Sequence, residues 1–562
     1  MIGIDLGTTN SLIAIFENST AKIIPNILNE KLTPSVVGVG DDGAIITGKA
    51  AQLRLLSHPD ITTALFKRDM GSDRHVSLGE HKFRAEELSA FILKSLKEDA
   101  QNYTGHEISK CVISVPAYFN DTQRKAVKAA GVLAGLTVQR VINEPSAAAI
   151  AYGLHQHKPE TQYLVIDLGG GTFDVSLLDF FDGVLEIKAT SGDNFLGGED
   201  FLDKIINDFL VKSAISPDSL TSAEKAQLKL KSEHCKHLLS TQNEVSLSAE
   251  INQITHIHHY TQASFKELSK ELLQRIKKNV LTVLRDAQVK ESDIEKIVLV
   301  GGATRMHIIH NLVETLFKKT PQLSFNPDEA IALGAAIQSA LIDNSKGLAD
   351  IILTDVCPYT LGTAAYDSGE LCYFPVIERN SSIPVSKSRT FYKRHDDQQQ
   401  LSVKIFQGEN FDINKNILLG EINIDIPTGK GSSEHHSLDL RFTYDIDGIL
   451  DIDARINNTD THKNLLIEQN PGLLTASQIS EKLKNMEKLK IHPREQTENL
   501  VLLELANTAY AEALKDNRKA IKAEILKFKK SLASQNMALI EESQKSLRAF
   551  LSTLKTSMDR FK

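Results

Sequence analysis

Ile2-Gly3-Ile4-Asp5-Leu6-Gly7-Thr8-Thr9 opens the chain, and Leu164-Val165-Ile166-Asp167-Leu168-Gly169-Gly170-Gly171-Thr172 repeats its pattern much later. Each copy is an apolar run, an Asp, a Gly/Thr-rich turn, and then a second β-prone run at residues 11–16 or 173–178. Glycines let backbone N–H groups turn inward and approach phosphate oxygens closely, and threonine hydroxyls add donors. An Asp just before the turn stands where a Mg²⁺ bridging those phosphates would need an oxygen ligand or a water acceptor. One such turn alone reads equally as a tight β-turn. Two, with Asp, Gly and Thr in register, point to opposed phosphate loops and a two-lobed nucleotide cleft. Neither is a Walker loop, since no Gly-Lys-Ser/Thr follows. Neither is a dinucleotide fingerprint, since a strand rather than a helix comes next.

A third glycine site lies further on. Ile297-Val298-Leu299-Val300 runs into Gly301-Gly302-Ala303-Thr304-Arg305 and then a helical segment. Such a corner lets a ligand touch backbone, and an Arg can stack on a base, although a simple packing corner would look the same. Other residues say less by themselves. Glu144, before Pro145, reads first as a helix start, and Lys67 as a solvated surface lysine. Glu233, Lys236, His237 and Ser240 have helical spacing and could share one face. His256, His258 and His259 alternate in strand fashion rather than at metal-ligand spacing. No Ser–His–Asp or Cys–His arrangement is readable.

Outward from these turns the pattern changes twice. To about residue 345, short apolar runs (111–115, 163–166, 297–300) alternate with helical stretches, the rhythm of an α/β domain. From about 359 to 470 the period is two: Leu438, Leu440, Phe442 and Tyr444 alternate with polar residues, an Asp447-Gly448 turn follows, and Leu450, Ile452 and Ala454 repeat the alternation. Ile422, Ile424 and Ile426 do the same until Pro427. From Thr475, which forms a capping box with Gln478, the period is helical; Ile479, Leu483, Met486 and Leu489 lie on one face, and His492-Pro493 breaks that helix. Two or three polar, Lys/Glu-rich helices follow. Between the first two regions, Asp350-Ile351-Ile352-Leu353-Thr354-Asp355 reads as a strand or a conditional linker, with the strand slightly favoured.

Composition excludes several classes. The 562 residues suffice for three or four folding units at roughly 150 residues each. A net charge of −8 without a Lys/Arg block lacks the footprint of a nucleic-acid binder. Four well-separated cysteines with no Cys-x-x-Cys pair exclude a disulfide scaffold and argue against structural zinc. The first residues lack the basic start and apolar core of a signal peptide, and no apolar run approaches the ~18 residues needed to span a bilayer. A cytoplasmic protein without membrane partners is expected.

Residues 3–11, 115–120, 143–153, 167–174, 192–201 and 300–305, in this order, resemble the seventy-kilodalton heat-shock chaperone family of the DnaK type, and the resemblance covers essentially the whole chain. Ala64-Leu65-Phe66-Lys67-Arg68, Thr354-Asp355-Val356-Cys357-Pro358-Tyr359 and the short helical end look most like its specialised bacterial HscC branch. The resemblance implies a multidomain chain: an actin-like α/β two-lobed ATPase domain (1–349), a linker (350–356), a β-sandwich that grips extended peptide (357–472) and a short α-helical lid (473–562). By motif, Gly7, Thr8, Thr9 and Asn10 would hold the phosphates of ATP or ADP from one lobe, and Gly169, Gly170, Gly171 and Thr172 from the other. Asp5, Asp167 and Asp174 would hold Mg²⁺, largely through its waters, with K⁺ a further candidate. The catalytic set would be Lys67, Glu144, Asp167 and Thr172, with Glu144 orienting the hydrolytic water and Lys67 stabilising the γ-phosphate. Gly198, Glu233, Lys236, His237 and Ser240 would meet the nucleotide on one side, and Gly301, Gly302 and Arg305 on the other.

Pro116, Arg124, Lys128, Arg140 and Asp355 match positions that couple nucleotide and peptide sites in this family, which turns 350–355 from a strand into the interdomain linker. Leu361, Thr363, Phe391, Leu401 and Val403 would line the peptide pocket, arched over by Tyr366 and Arg394. Thr354 stands where an aliphatic residue is usual, and His237 where a long basic or aliphatic one is. The implied function is ATP-driven binding and release of unfolded clients by a monomer, with a J-domain cochaperone and a nucleotide-exchange factor as partners. Three rivals are a small-molecule kinase on the same fold, an actin-like filament protein and a non-hydrolysing binder. The first two leave everything after residue 359 unexplained; retention of Asp5, Lys67, Glu144, Asp167 and Thr172 argues against the third.

Overall fold

The computed structural model describes residues 1–562 except 41–42, 154–160, 182–183, 322–325, 344–351, 368–369, 393–397, 427–436, 445–449, 468–496, 514, 535–536 and 560–562. The chain divides into two compact units, Met1–Pro358 and Tyr359–Lys562.

In the first unit the repeated turns become equivalent corners of two sheets. Strands β1 (Ile2–Asp5), β2 (Asn10–Glu17) and β3 (Thr20–Ile24) form an antiparallel meander. Strand β4 (Lys110–Val115) returns parallel to β1, helix α1 (Asp121–Leu133) follows, and β5 (Thr137–Asn143) adds at the edge. Helix α2 (Glu144–Gly153) leads out. The plan then repeats. Strands β6 (Thr161–Leu168), β7 (Phe173–Phe181) and β8 (Val184–Asp193) form a second antiparallel meander. After helices α3 (Gly198–Lys212) and α4 (Ser222–Leu238), β9 (Lys296–Val300) pairs parallel with β6. The order β4-β1-β2-β3 recurs as β9-β6-β7-β8, and β5 is an additional strand at the edge of the first sheet. Each central strand is an apolar run buried on both faces, as parallel pairing under covering helices requires.

Helix α5 (Ala330–Ile342) joins the lobes. Its run of small residues lets it press on β1 and α2 at backbone distance. A Cβ on Gly3 would lie 2.0 Å from Ala336 N, and one on Gly334 would lie 1.7 Å from the Ala147 oxygen, so neither position admits a side chain without moving a helix. Strand β10 (Ile352–Thr354) then pairs parallel with β8, in register Val184↔Ile352 to Glu186↔Thr354. Residues 352–354 of the segment that the resemblance makes a linker are thus a strand, as its apolar run suggested. Thr354 is buried.

The second unit contains two four-stranded antiparallel sheets. Strands β11 (Leu361–Asp367), β12 (Glu370–Ile377), β14 (Gln400–Gln407) and β15 (Ile417–Asp425) form one, in the order β12-β11-β14-β15. Strands β13 (Val385–Phe391), β16 (Leu438–Tyr444), β17 (Leu450–Ile456) and β18 (His462–Ile467) form the other, in chain order. The alternation read from sequence is the burial pattern observed: Ile422, Ile424, Leu438, Leu440, Phe442, Leu450, Ile452 and Ala454 are all buried. The Asp447-Gly448 turn and the Thr475 to Pro493 helix lie outside the described residues. Helices α6 (Thr497–Glu512), α7 (Lys515–Ser534) and α8 (Met537–Asp559) share a core that includes Leu502, Ile521, Phe528, Ile540 and Leu547.

Candidate nucleotide site

Where the two sheets face each other lies a cavity of about 550 Å³. Both glycine turns border it. Gly7, Thr8, Thr9 and Asn10 come from the β1–β2 corner, and Gly169, Gly170 and Thr172 from the β6–β7 corner. The turns nearly touch: a Cβ on Gly171 would meet Thr8 Oγ1 at 2.8 Å, and one on Gly170 would meet Thr9 Oγ1 at 2.8 Å. Only glycines let the two lobes approach this closely and leave backbone N–H groups turned to a shared anion.

The opposite end is built by α4 and the Gly-Gly corner. Glu233, Lys236 and His237 project from one face of α4, with Ser240 just beyond its end, and all four border the cavity. Lys236 is buried, donates from Nζ to the Gly198 oxygen at 3.0 Å, and has its pKa lowered by burial. Burial also lowers His237 below the usual imidazole value, so it is a neutral hydrogen-bonding group near pH 7. Gly301, Gly302 and Arg305 face them. Arg305 is held by Asp328 at 2.6 Å and by the Asn326 side-chain oxygen at 2.8 Å, which orients its guanidinium at the rim. Sequence reading missed Asp328, Met306, Ile331 and Thr241 as lining residues. Two are apolar, and nothing in a helix pattern distinguishes an apolar residue facing a ligand from one facing a core.

Between the turns sit four carboxylates and one ammonium. Lys67 is not a surface lysine. It lies on a 3₁₀ turn (Phe66–Asp69) entered through Leu65 at φ +63°, and is buried with Nζ 2.8 Å from Glu144 Oε1. Glu144 is the first residue of α2, so it is both the helix start and a cavity group. Asp5 accepts from Ser114 Oγ at 2.9 Å; burial, then the Glu144 charge, pushes its pKa up to about 7. Asp174 stands opposite Asp167 in the β6–β7 register and accepts the Tyr118 N–H at 3.2 Å. Burial, then Glu144, raises it to about 8, and the same two causes hold Asp167 well above the carboxylate range. Asp167 Oδ2 is buried without a hydrogen-bond partner. An orphaned carboxylate oxygen among mutually repelling acids fits a divalent cation. Among the described residues no trio of His, Cys, Asp or Glu converges tightly enough to cage a metal. Asp5, Asp167 and Asp174 are the carboxylates that could hold such an ion. Asp174 and Gly171 stand just behind the lining rather than on it.

Asp355, directly after β10, accepts at 3.0 Å on both oxygens from Asn143 Nδ2, the residue preceding Glu144. Arg124 on α1 donates to the Asn143 side-chain oxygen at 2.5 Å and to the backbone oxygens of Ala117 and Phe119. Phe119 places its ring 5.7 Å below the Lys67 ammonium. Pro116 opens that loop, closed by the Phe119 N–H on its oxygen at 3.1 Å. Lys128 lies one turn beyond Arg124 on α1, and Arg140 on β5, both half-buried.

Of the pocket residues in the second unit, Leu361 and Thr363 on β11 and Leu401 and Val403 on β14 share one face of one sheet by register. Leu361, Thr363 and Val403 are buried, and Leu401 is half-buried. Phe391 belongs to the other sheet and meets Phe374 edge-on at 6.0 Å. Tyr366 is exposed; Arg394 lies outside the described residues.

Two facing glycine turns, a buried Lys–Glu pair and an acidic centre thus border one cavity. A family model described as Hsp70 protein matches residues 1–77 and 73–561. The chaperone protein DnaK of Thermosipho melanesiensis is 40% identical over 481 residues, covering 83% of this chain and 80% of its own length. DnaK of Thermosipho africanus is also 40% identical over 481 residues, covering 83% and 79%. DnaK of Mycoplasmoides gallisepticum is 39% identical over 548 residues, covering 92% and 91%. The chain belongs to the Hsp70 family. It is an ATP-dependent chaperone and an ATPase. The family architecture is an ATPase of two lobes followed by a β-sandwich and a helical lid, binding nucleotide with a divalent metal. Among the described residues no helix is long and apolar enough to cross a membrane.

Proposed function

We propose that this chain couples ATP hydrolysis to its grip on extended client segments through Asp355. The observation that carries the reading is the contact of Asp355 with Asn143, the neighbour of Glu144. Docking of the linker strand and placement of the hydrolytic carboxylate are then one structural event. Two states biased by nucleotide follow: with ATP the linker docks and the peptide site opens, and after hydrolysis it releases and the peptide is held. Pro116, Arg124, Lys128 and Arg140 carry the message between Asp355 and the loop beneath Lys67.

In the cleft, residues 7–10 and 169–172 hold the phosphates through backbone N–H groups and threonine hydroxyls. Glu144 orients the attacking water, and Lys67 stabilises charge on the transferring phosphoryl group. Mg²⁺ at Asp5, Asp167 and Asp174 would neutralise phosphate charge, with K⁺ an additional ion. Glu233, Lys236, His237 and Ser240 hold the adenosine against Gly302 and Arg305. Functional boundaries are set at 1–349, 350–356, 357–472 and 473–562. Leu361, Thr363, Phe391, Leu401 and Val403 take one apolar side chain of an extended peptide held by backbone hydrogen bonds. Tyr366 and Arg394 narrow the client range. The partners are a J-domain cochaperone and a nucleotide-exchange factor, the monomer acts in the cytoplasm, and the branch is that of HscC.

The test is the affinity of a labelled unfolded peptide with ADP and with ATP, by anisotropy, since the chain has no Trp for intrinsic fluorescence. Binding several-fold tighter in ADP is expected. Equal affinities would show that the linker transmits nothing.

A further inference from the structure

Arg68 shares its 3₁₀ turn with Lys67, yet its side chain points to the other lobe. Its Nη2 donates to Asp200 Oδ2 at 2.5 Å and its Nη1 to Oδ1 at 3.4 Å. Asp200 lies in the first turn of α3, and the same Oδ2 accepts the Gly197 N–H at 2.7 Å. That turn is bonded in its own right to the second phosphate turn. The Gly198 N–H donates to the Gly169 oxygen and the Glu199 N–H to the Gly170 oxygen, both at 2.9 Å. The guanidinium also packs on Gly171: a Cβ there would lie 2.9 Å from Arg68 Nε, and that nitrogen is buried without a hydrogen-bond partner.

We propose that Arg68 and Asp200 form a clasp across the cleft that sets the distance between Lys67 and the second phosphate turn. Lys67 and Arg68 are consecutive, so the turn has no slack. Lys67 is anchored inside its own lobe by Glu144, Arg68 is anchored to the other lobe by Asp200, and the spacing of the two anchors is the spacing of the reacting groups. Arg68 is therefore a positioning residue for hydrolysis rather than a nucleotide ligand; it is absent from the cavity lining, whereas Lys67 is part of it. A planar fork suits this role better than a lysine, because two parallel hydrogen bonds fix an orientation as well as a distance. The inference rests on the ATPase reading of the cleft.

The experiment uses the full chain and the variants Arg68→Gln, Arg68→Lys, Asp200→Asn and the double variant Arg68→Gln/Asp200→Asn. Asparagine keeps an oxygen for the Gly197 N–H, so the start of α3 retains its cap. Single-turnover ATP hydrolysis and equilibrium ATP affinity are measured for each, with a thermal melt. Each single substitution should slow hydrolysis about tenfold or more while leaving ATP affinity within about threefold, because a small misplacement penalises the reacting geometry far more than binding. The double variant should be no slower than the slower single one, and Arg68→Lys should recover only part of the rate. If the two effects multiply in the double variant, the residues act separately and the clasp is refuted. If affinity falls in step with the rate, Arg68 holds nucleotide directly and the positioning role is wrong. Should Arg68→Gln fail to fold, Asp200→Asn and Arg68→Lys still decide the question. An unsubstituted chain that hydrolyses no ATP would instead remove the underlying ATPase reading.

Discussion

Replacing Gly334 by alanine should damage both the stability of the first unit and hydrolysis, by an amount the geometry predicts. The added Cβ would lie 1.7 Å from the Ala147 oxygen and 2.3 Å from the Ala147 carbonyl carbon, against the 3.4–4 Å of ordinary contact. Both obstacles are backbone, so no rotamer change relieves them, and α5 must part from α2 by about 1.5–2 Å, the shortfall in that contact. Overpacking of a close-packed interior costs about 1–3 kcal/mol, and this contact belongs at the upper end because neither side can give way. At about 2 °C per kcal/mol for a unit of this size, the melting temperature should fall by on the order of 5 °C. The catalytic consequence follows from what the two helices carry. Helix α2 begins at Glu144, and α5 presses on β1, which ends at Asp5. Any parting therefore shifts Glu144 relative to Asp5 and Lys67, and a misplacement of ~1 Å costs roughly 100-fold in rate. The assay is a circular-dichroism melt with single-turnover hydrolysis at saturating ATP. A melt within one degree of the unsubstituted chain, together with hydrolysis within twofold, would refute the claim that this crossing sets the site.

Two further expectations concern charge. Lys67→Ala should lower hydrolysis by about 10²–10³-fold while ATP still binds, because the loss falls on the transition state and leaves Glu144 buried without its cation. Parallel loss of binding, measured with a fluorescent nucleotide, would assign Lys67 to ground-state holding instead. Asp355 has its pKa raised, first by burial, against the opposing hydrogen bond from the Val356 N–H and the Arg124 charge. The docked state thus binds more proton than the undocked one, so docking is strongest below the ordinary aspartate value and weakens as pH rises through the raised one. Amide exchange of β10, corrected for its intrinsic rate, should speed up across that window, and Asp355→Asn should abolish the dependence.

How far the sequence could be read depended on whether a feature is local. The two glycine turns were legible because strand, Asp, glycine and threonine are contiguous, and the geometry of a tight turn is written in its own residues. The second copy made the reading firm, and it appears as two sheets that share a run of four strands in the same order. The β-sheets of the second unit were legible for a similar reason, since a one-residue slip would turn Phe442 and Ile452 outward. Lys67 was legible only through the family resemblance and not from its own surroundings in the sequence. Lysine is the residue type least expected inside, and its burial depends on Leu65 adopting a left-handed conformation and on Glu144 arriving from another element. Asp328 escaped notice because its role is to hold Arg305, a partner more than twenty positions away. The strand at 352–354 was only slightly favoured by its residues, and gave way to a linker on the resemblance, because a short apolar run between acids has little preference until an edge is offered, and β8 offers one.

The sequence by itself determined the two lobes, their glycine turns, the sheets that follow and the family to which the chain belongs. Those properties rest on short-range patterns that persist wherever the segment is placed. Only the tertiary structure decided which charges meet: Lys67 with Glu144, Arg68 with Asp200, Asp355 with Asn143, and the orphaned oxygen of Asp167 among its acidic neighbours. Electrostatic pairing depends on separations of a few ångströms between groups far apart in the chain and on the burial that strengthens them, and both arise only when α2 and α5 lock the lobes together.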